Sequence, residues 1–166
     1  CQFHLKDDDL QPNPLHTQII RLFADKTIRI ITTNFEGLFE KAANVLGVAP
    51  DVSIAPNLPQ GDLFKGIVHL HGSLKHENSI ILSDRDFGRA YLSEGWARRF
   101  ITRVFANYTV LFIGYSYNDT IMKYLARSIS QNPQHQLFGI SSVTAENQLA
   151  EKRRWELLGM THIPYT

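Results

Sequence analysis

With one cysteine in 166 residues, the chain can form no internal disulfide and no multi-cysteine zinc knuckle. No apolar run approaches the roughly 20 residues that cross a bilayer. The opening Cys1-Gln2-Phe3-His4-Leu5-Lys6 lacks the layout of a signal peptide. Neither sign of charge is in excess: 17 basic against 16 acidic side chains leave a formal net charge of +1. So weak a field does not imply nucleic acid or an anionic membrane as a partner. Arg98, Arg99 and Arg103, and the run Lys152-Arg153-Arg154, fall on predicted helices opposite apolar faces. Without interleaved aromatics to stack bases, they read as solvated faces rather than a nucleic-acid site. G-x-S-x-G, H-E-x-x-H and P-loop patterns are missing, as are internal repeats and low-complexity tracts. What is left, 43% hydrophobic and 20% charged, is an ordinary globular composition with a cytoplasmic expectation.

Glycine is missing from Cys1 to Arg29 altogether, and the first residues are acidic and proline-bearing (Asp7-Asp8-Asp9, Pro12, Pro14), so 1–14 is expected to be a loop or linker. The chain opens without an initiator methionine and closes on the strand-like Ile163-Pro164-Tyr165-Thr166. The expectation is a piece of a longer protein, with one domain over 15–166. Pro14 suits the first turn of a short helix carrying Ile19, Ile20 and Phe23 on one face. Thr27–Thr33 is short and β-branched, a buried strand; Glu36–Leu46 has helical apolar spacing and stops at Gly47. Residues 50–66, with three prolines and two glycines, read as an irregular connection. Ile67–Leu70 is a second strand, and Ile80–Leu82 a short extended piece. A two-part helical stretch broken near Gly95 follows, its second part presenting Trp96, Phe100, Ile101, Val104 and Phe105. Thr109–Ile113, apolar throughout, reads as a central strand covered on both faces. A helix over Asp119–Ile129, a strand over Gln136–Ile140, a helix over Ala145–Leu158 and a strand over Thr161–Tyr165 complete the pattern. Strands alternating with helices predict an α/β fold: a Rossmann-like parallel sheet with helices on both faces.

In such sheets, ligands sit beyond the carboxyl ends of the strands. Three polar or glycine-bearing segments occupy that position: Thr33-Asn34-Phe35-Glu36, His71-Gly72-Ser73, and Gly114-Tyr115-Ser116-Tyr117-Asn118-Asp119. Each has a structural reading beside the functional one. Thr33 and Glu36 fit a capping box, the stronger reading on spacing alone; alternatively Asn34, an uncharged donor and acceptor, holds a ribose hydroxyl or a water. His69 and His71 share a face of a strand by its period of two, too few ligands for a metal, and no metal is expected. His71, at the strand end, is better placed as a base, although a satisfied structural histidine has the same pattern. Gly114 permits close backbone approach with the Ser116 hydroxyl at hand, or merely a turn before a helix capped by Asn118 or Asp119. Asp84 and Asp86 read as helix-capping acids.

Taken together, the three segments resemble a known family. Ile30-Ile31-Thr32-Thr33-Asn34-Phe35-Glu36-Gly37-Leu38-Phe39-Glu40 resembles the "TTN-aromatic-Asp-x-Leu-x-Glu" run of the zinc-free sirtuin-like domains of bacterial defence proteins. Val68-His69-Leu70-His71-Gly72-Ser73-Leu74 is similar to their histidine-glycine-serine motif, and Leu111-Phe112-Ile113-Gly114-Tyr115-Ser116-Tyr117-Asn118-Asp119 to their "F-I/V-G-Y-S-x-x-D" strand exit. Order and spacing agree, with Asp86-Phe87 and Tyr91 between, over roughly Thr27 to Tyr165. The resemblance implies a Rossmann-like sheet that binds NAD as substrate, with Asn34 and His71 catalytic. Thr33, Gly114 and Ser116 would contact the nucleotide and Asp119 would support the loop; on chemical grounds Glu36 could hydrogen-bond the nicotinamide amide or supply negative potential. It also implies an NAD+ glycohydrolase, the effector of an antiphage defence protein working through self-association or further domains. A neutral nicotinamide leaving group needs no general acid, and a neutral His71 could take a proton from a ribose hydroxyl or a water. The sequence departs from the family at Glu36, where aspartate is usual, and in having no G-A-G-x-S diphosphate loop before Asn34. A non-hydrolysing NAD or ADP-ribose sensor and an oligomerisation module are the alternatives. Ser141 and Ser142 are candidates for the adenosine ribose.

Overall fold

The computed structural model of the chain describes residues 10–23, 25–115 and 136–166. The chain divides into two compact units, Cys1–Ala97 and Arg98–Thr166, each an α/β assembly on short parallel strands. Among the described residues, no helix is long and apolar enough to cross a membrane.

In the first unit, helix α1 (Pro14–Arg21) begins where the sequence puts it. Asn13 caps it, its Oδ1 accepting from the His16 N–H at 3.2 Å, and Pro14 has no N–H to leave unpaired. Strands β1 (Arg29–Thr32), β2 (Val52–Ile54) and β3 (Gly66–His69) pair in the order β1-β3-β2, all parallel. β3 lies between two neighbours and is buried at every position, as an unbroken Gly-Ile-Val-His run requires. Helix α2 (Leu38–Val45) sets Ala42 and Ala43 against Ile20, Ile28, Ile30 and Ile67, with Ile19, Phe23, Phe39 and Leu46 packed around them. Burying each such isoleucine contributes about 1.5–3 kcal/mol, and that layer ties α1 and α2 to the sheet. Helix α3 (Asp84–Gly88) is capped by Ser83, with Asp86 reciprocating, and a π-helical turn follows over Arg89–Ser93.

The second unit takes in most of helix α4 (Trp96–Asn107), then β4 (Val110–Phe112), β5 (Leu137–Ser142), helix α5 (Gln148–Glu156) and β6 (Thr161–Tyr165). The strands run parallel in the order β4-β5-β6. Trp155 of α5, 2% exposed, lies directly over Gly139 of β5: a Cβ there would stand 2.1 Å from the indole ring. The strand glycine is a packing requirement, the space a ring needs to reach the sheet.

Three expectations need correction. Residues 50–66 are not wholly irregular, since Val52–Ile54 is the edge strand β2; three residues between prolines are too few to show alternation. α2 begins at Leu38 rather than Glu36, because the Glu36 side chain bonds within the loop before the helix. β4 lies at an edge of the described sheet and Leu111 is 43% exposed, so its apolar run does not mark a strand covered on both faces. The helix expected over Asp119–Ile129 lies outside the described residues.

Candidate active site

β1 and β3 end level with one another, Thr32 opposite His69, so the chain leaves both strands side by side. Two backbone hydrogen bonds hold the exits together: Leu70 N–H to the Thr32 carbonyl at 2.9 Å and Leu74 N–H to the Phe35 carbonyl at 2.9 Å. The buried Thr32 hydroxyl accepts the Asn34 N–H at 3.1 Å and turns the chain out of the sheet. Thr33 and Asn34 are consequently exposed. The Asn34 side-chain N–H donates to Glu36 Oε1 at 2.8 Å, fixing the amide's orientation. The capping-box reading of Thr33 and Glu36 is thereby overturned. The cap residue of α2 is Gly37, with no side-chain cap hydrogen bond, and the Glu36 carboxylate holds the Asn34 amide instead.

The two histidines of His69-Leu70-His71 find different partners. The strand ends at His69, so the alternation that would have put both rings on one face stops there. His69 is fully buried, with Nε2 2.8 Å from Glu40 Oε1 and Nδ1 3.3 Å from the Asn34 carbonyl. Burial works to lower its pKa. The hydrogen bond and charge of Glu40, the Asn34 carbonyl and the charge of Glu36 outweigh it, and the value is raised above the ordinary 6.5. Glu40 stands in the first turn of α2, where the helix end favours a carboxylate.

His71 is 6% exposed and pairs through Nε2 with the Tyr91 hydroxyl at 2.8 Å. Its ring meets Phe87 edge-on (centroids 5.2 Å, 81° between planes) and Tyr91 likewise (6.0 Å, 77°). Tyr91 comes from the π-helical turn, a rare local geometry that re-aims side chains by one position. Gly72, with φ of 92°, passes so close to the next turn that a Cβ would meet the Ser79 carbonyl oxygen at 2.3 Å. Ser73 is buried and structural: its N–H donates to Ser79 Oγ and its own Oγ accepts the Lys75 N–H.

Of the sequence candidates, Thr33, Asn34, Glu36 and His71 therefore gather at the adjacent ends of β1 and β3 in the first unit. Gly114 stands beyond the carboxyl end of β4 in the second unit, with φ of 65° and nothing within 4 Å of where a Cβ would be. Ser116 and Asp119 lie outside the described residues. Ser141 is engaged within its own unit, accepting from the Trp155 indole at 3.3 Å and pairing with His162 at 2.9 Å, while Ser142 is exposed. Sequence reasoning assigned no role to Glu40, Phe87 or Tyr91 as partners of the histidines. Tyr91 stands 20 residues beyond His71, outside any local pattern, whereas Glu40 carried a signal, an acid inside an otherwise apolar helical stripe.

A profile of the SIR2-like domain matches residues 28–163. The chain is 29% identical over 164 residues to the uncharacterized protein y4cA of Sinorhizobium fredii, an overlap of 87% of this chain and 14% of that protein. It is 34% identical over 68 residues to an NAD-dependent protein deacetylase of Listeria monocytogenes, an overlap of 41% of this chain and 21% of the deacetylase. The chain thus spans only a minor part of the length of either relative.

Proposed function

Because the chain belongs to the SIR2-like domain family, we propose that it acts on NAD as substrate, breaking the nicotinamide–ribose bond and passing the ADP-ribosyl group to water. The observation that carries this reading is the meeting of the Asn34 and His71 exits at level, hydrogen-bonded ends of two parallel strands, where α/β sheets receive their ligands.

The bond breaks with nicotinamide leaving as a neutral group, so charge develops on the ribose as an oxocarbenium-like cation. A site for that state should offer negative potential and no unpaired cation. Glu36, bonded to Asn34, supplies such potential at the loop. Asn34, exposed and held by Glu36, orients a water or ribose hydroxyl without adding charge. His71 takes up the proton, and the Tyr91 hydroxyl on its Nε2 can hand a proton on or hold the ring in one tautomer. Thr33, beside Asn34, contacts the nucleotide in this reading. With one cysteine in 166 residues the chain does not supply the thiolates of a zinc ribbon, which favours water over an acyl-lysine as acceptor. In its full protein the domain serves as a cytoplasmic, NAD-depleting effector of antiphage defence, set off through self-association or further domains.

The test is nicotinamide release from NAD by the full-length protein under triggering conditions. His71→Ala and Asn34→Ala should each lower the rate by roughly a hundredfold or more, the range for loss of a positioned proton acceptor. Equal rates in wild type and His71→Ala sink the hydrolase reading. Tight NAD or ADP-ribose binding without turnover replaces it with a sensor, a reading motivated by Glu36 standing where the resembled motif has aspartate.

A further inference from the structure

We propose that His69 and Glu40 are a buried positioning pair whose task is to hold the Asn34 backbone, and with it the Asn34 amide, at the reacting centre. This rests on the proposed role of Asn34.

Both ring nitrogens of His69 face oxygens that can only accept from an N–H: the Asn34 carbonyl at Nδ1 and, when ionised, the Glu40 carboxylate at Nε2. The arrangement is satisfied only with one proton on Nδ1 and another between Nε2 and Glu40 Oε1. A carboxylate at Nε2 supplies the charge that keeps both protons in a fully buried ring, and the raised pKa agrees with this. The second Glu40 oxygen, Oε2, is buried without a hydrogen-bond partner among the described residues. The hydrogen bonding of this carboxylate is thus committed to His69.

A buried ion pair is a poor device for stability alone, because apolar residues of similar volume usually serve the fold as well or better. The distinctive property of this one is reach. One rigid ring links β3 to α2 on one side and to the loop beyond β1 on the other. The Asn34 residue is then gripped at three atoms: its N–H by the Thr32 hydroxyl, its carbonyl by His69, its amide by Glu36. Removing the middle grip frees the peptide from which the amide projects. A misplacement of about 1 Å at a reacting group can lower a rate a hundredfold.

Because His69→Leu alone strands the Glu40 charge and can unfold the chain, the test uses the double variant His69→Leu/Glu40→Leu beside the conservative Glu40→Gln, all in the full-length protein. The double variant should keep the wild-type melting temperature and KM for NAD within about twofold, while kcat falls roughly tenfold or more. Hydrogen exchange in peptides covering residues 33–37 should quicken in it, with residues 29–32 unchanged. Glu40→Gln, whose amide can donate to Nε2 and leave the Nδ1 proton on the Asn34 carbonyl, should restore both readouts to near wild type. A folded double variant with wild-type kcat and exchange overturns the pairing role while leaving the hydrolase reading intact. If wild type releases no nicotinamide, the hydrolase reading has failed instead, and the exchange of residues 33–37 still decides for or against the pair.

Discussion

Replacing Gly72 with alanine measures how tightly the loop after β3 is built, and three glycines of the first unit give the scale. At Gly88, inside a helical turn with φ of −57° and nothing within 4 Å of a Cβ, alanine should stabilise by about 0.4–1 kcal/mol through the unfolded chain. At Gly47 there is equally open space but φ is 72°, so alanine should cost about 1–2 kcal/mol for the left-handed backbone alone. At Gly72 both terms act. φ is 92°, and the new Cβ would stand 2.3 Å from the Ser79 oxygen, 2.5 Å from its carbon and 2.8 Å from the Ile80 Cα. All three are backbone atoms, which cannot swing aside as a side chain can. Ordinary contact begins at 3.4 Å, so the Ser79 peptide must retreat by about an ångström, an overpacking strain of about 1–3 kcal/mol. Strain and left-handed backbone together come to roughly 2–5 kcal/mol. Ser79 cannot move alone, since its hydroxyl accepts the Ser73 N–H and donates to the His76 carbonyl. Urea titrations of the three variants should therefore rank Gly88→Ala above wild type, Gly47→Ala below it, and Gly72→Ala lowest, about 1 M below Gly47→Ala for an added strain of about 2 kcal/mol and a slope of about 2 kcal/mol per M. If Gly72→Ala unfolds within about 0.3 M of Gly47→Ala, the close approach to Ser79 carries no energy and the loop does not have this geometry.

Two further predictions concern single contacts. Gly139→Ala should drive the Trp155 ring off the second sheet, destabilising that unit by about 1–3 kcal/mol and reddening the tryptophan emission; unchanged fluorescence would show that Trp155 does not lie on that glycine. The raised pKa of His69 gives stability a pH signature of definite sign. A group whose pKa is higher folded than unfolded contributes fully below about pH 6.5 and loses that contribution as pH rises through the folded value. Urea midpoints of wild type minus those of the His69→Leu/Glu40→Leu variant should accordingly fall from about pH 6 upwards, and a flat or rising difference contradicts the assignment.

Much of this architecture was legible in residue order. Ile67–Leu70 reads as a strand, shifted one residue from the observed Gly66–His69, and Pro14 marks the first turn of α1 through a ring chemistry that acts locally. Thr161–Tyr165 agrees in both boundaries with its β-branched and turn signals. Readings that failed did so where the deciding partner is distant or emerges only in the folded loop. Glu36 looks like a capping acid until the Asn34 amide claims it, and β2 is a strand only because β3 lies beside it.

The sequence by itself determined that this is an α/β chain with parallel strands, and it marked Thr33, Asn34, Glu36 and His71 as polar residues at strand ends, because periodicity and turn chemistry act over a few neighbours. Only the tertiary structure decided what those residues touch. Level registry of β1 and β3 brings the Asn34 and His71 loops together. His69, in sequence merely the other half of a His-x-His pair, became a buried bridge from Glu40 to the Asn34 carbonyl, while His71 went to Tyr91. Those pairings span 20 to 35 residues of chain, and their geometry follows from strand register and packing rather than from any local preference.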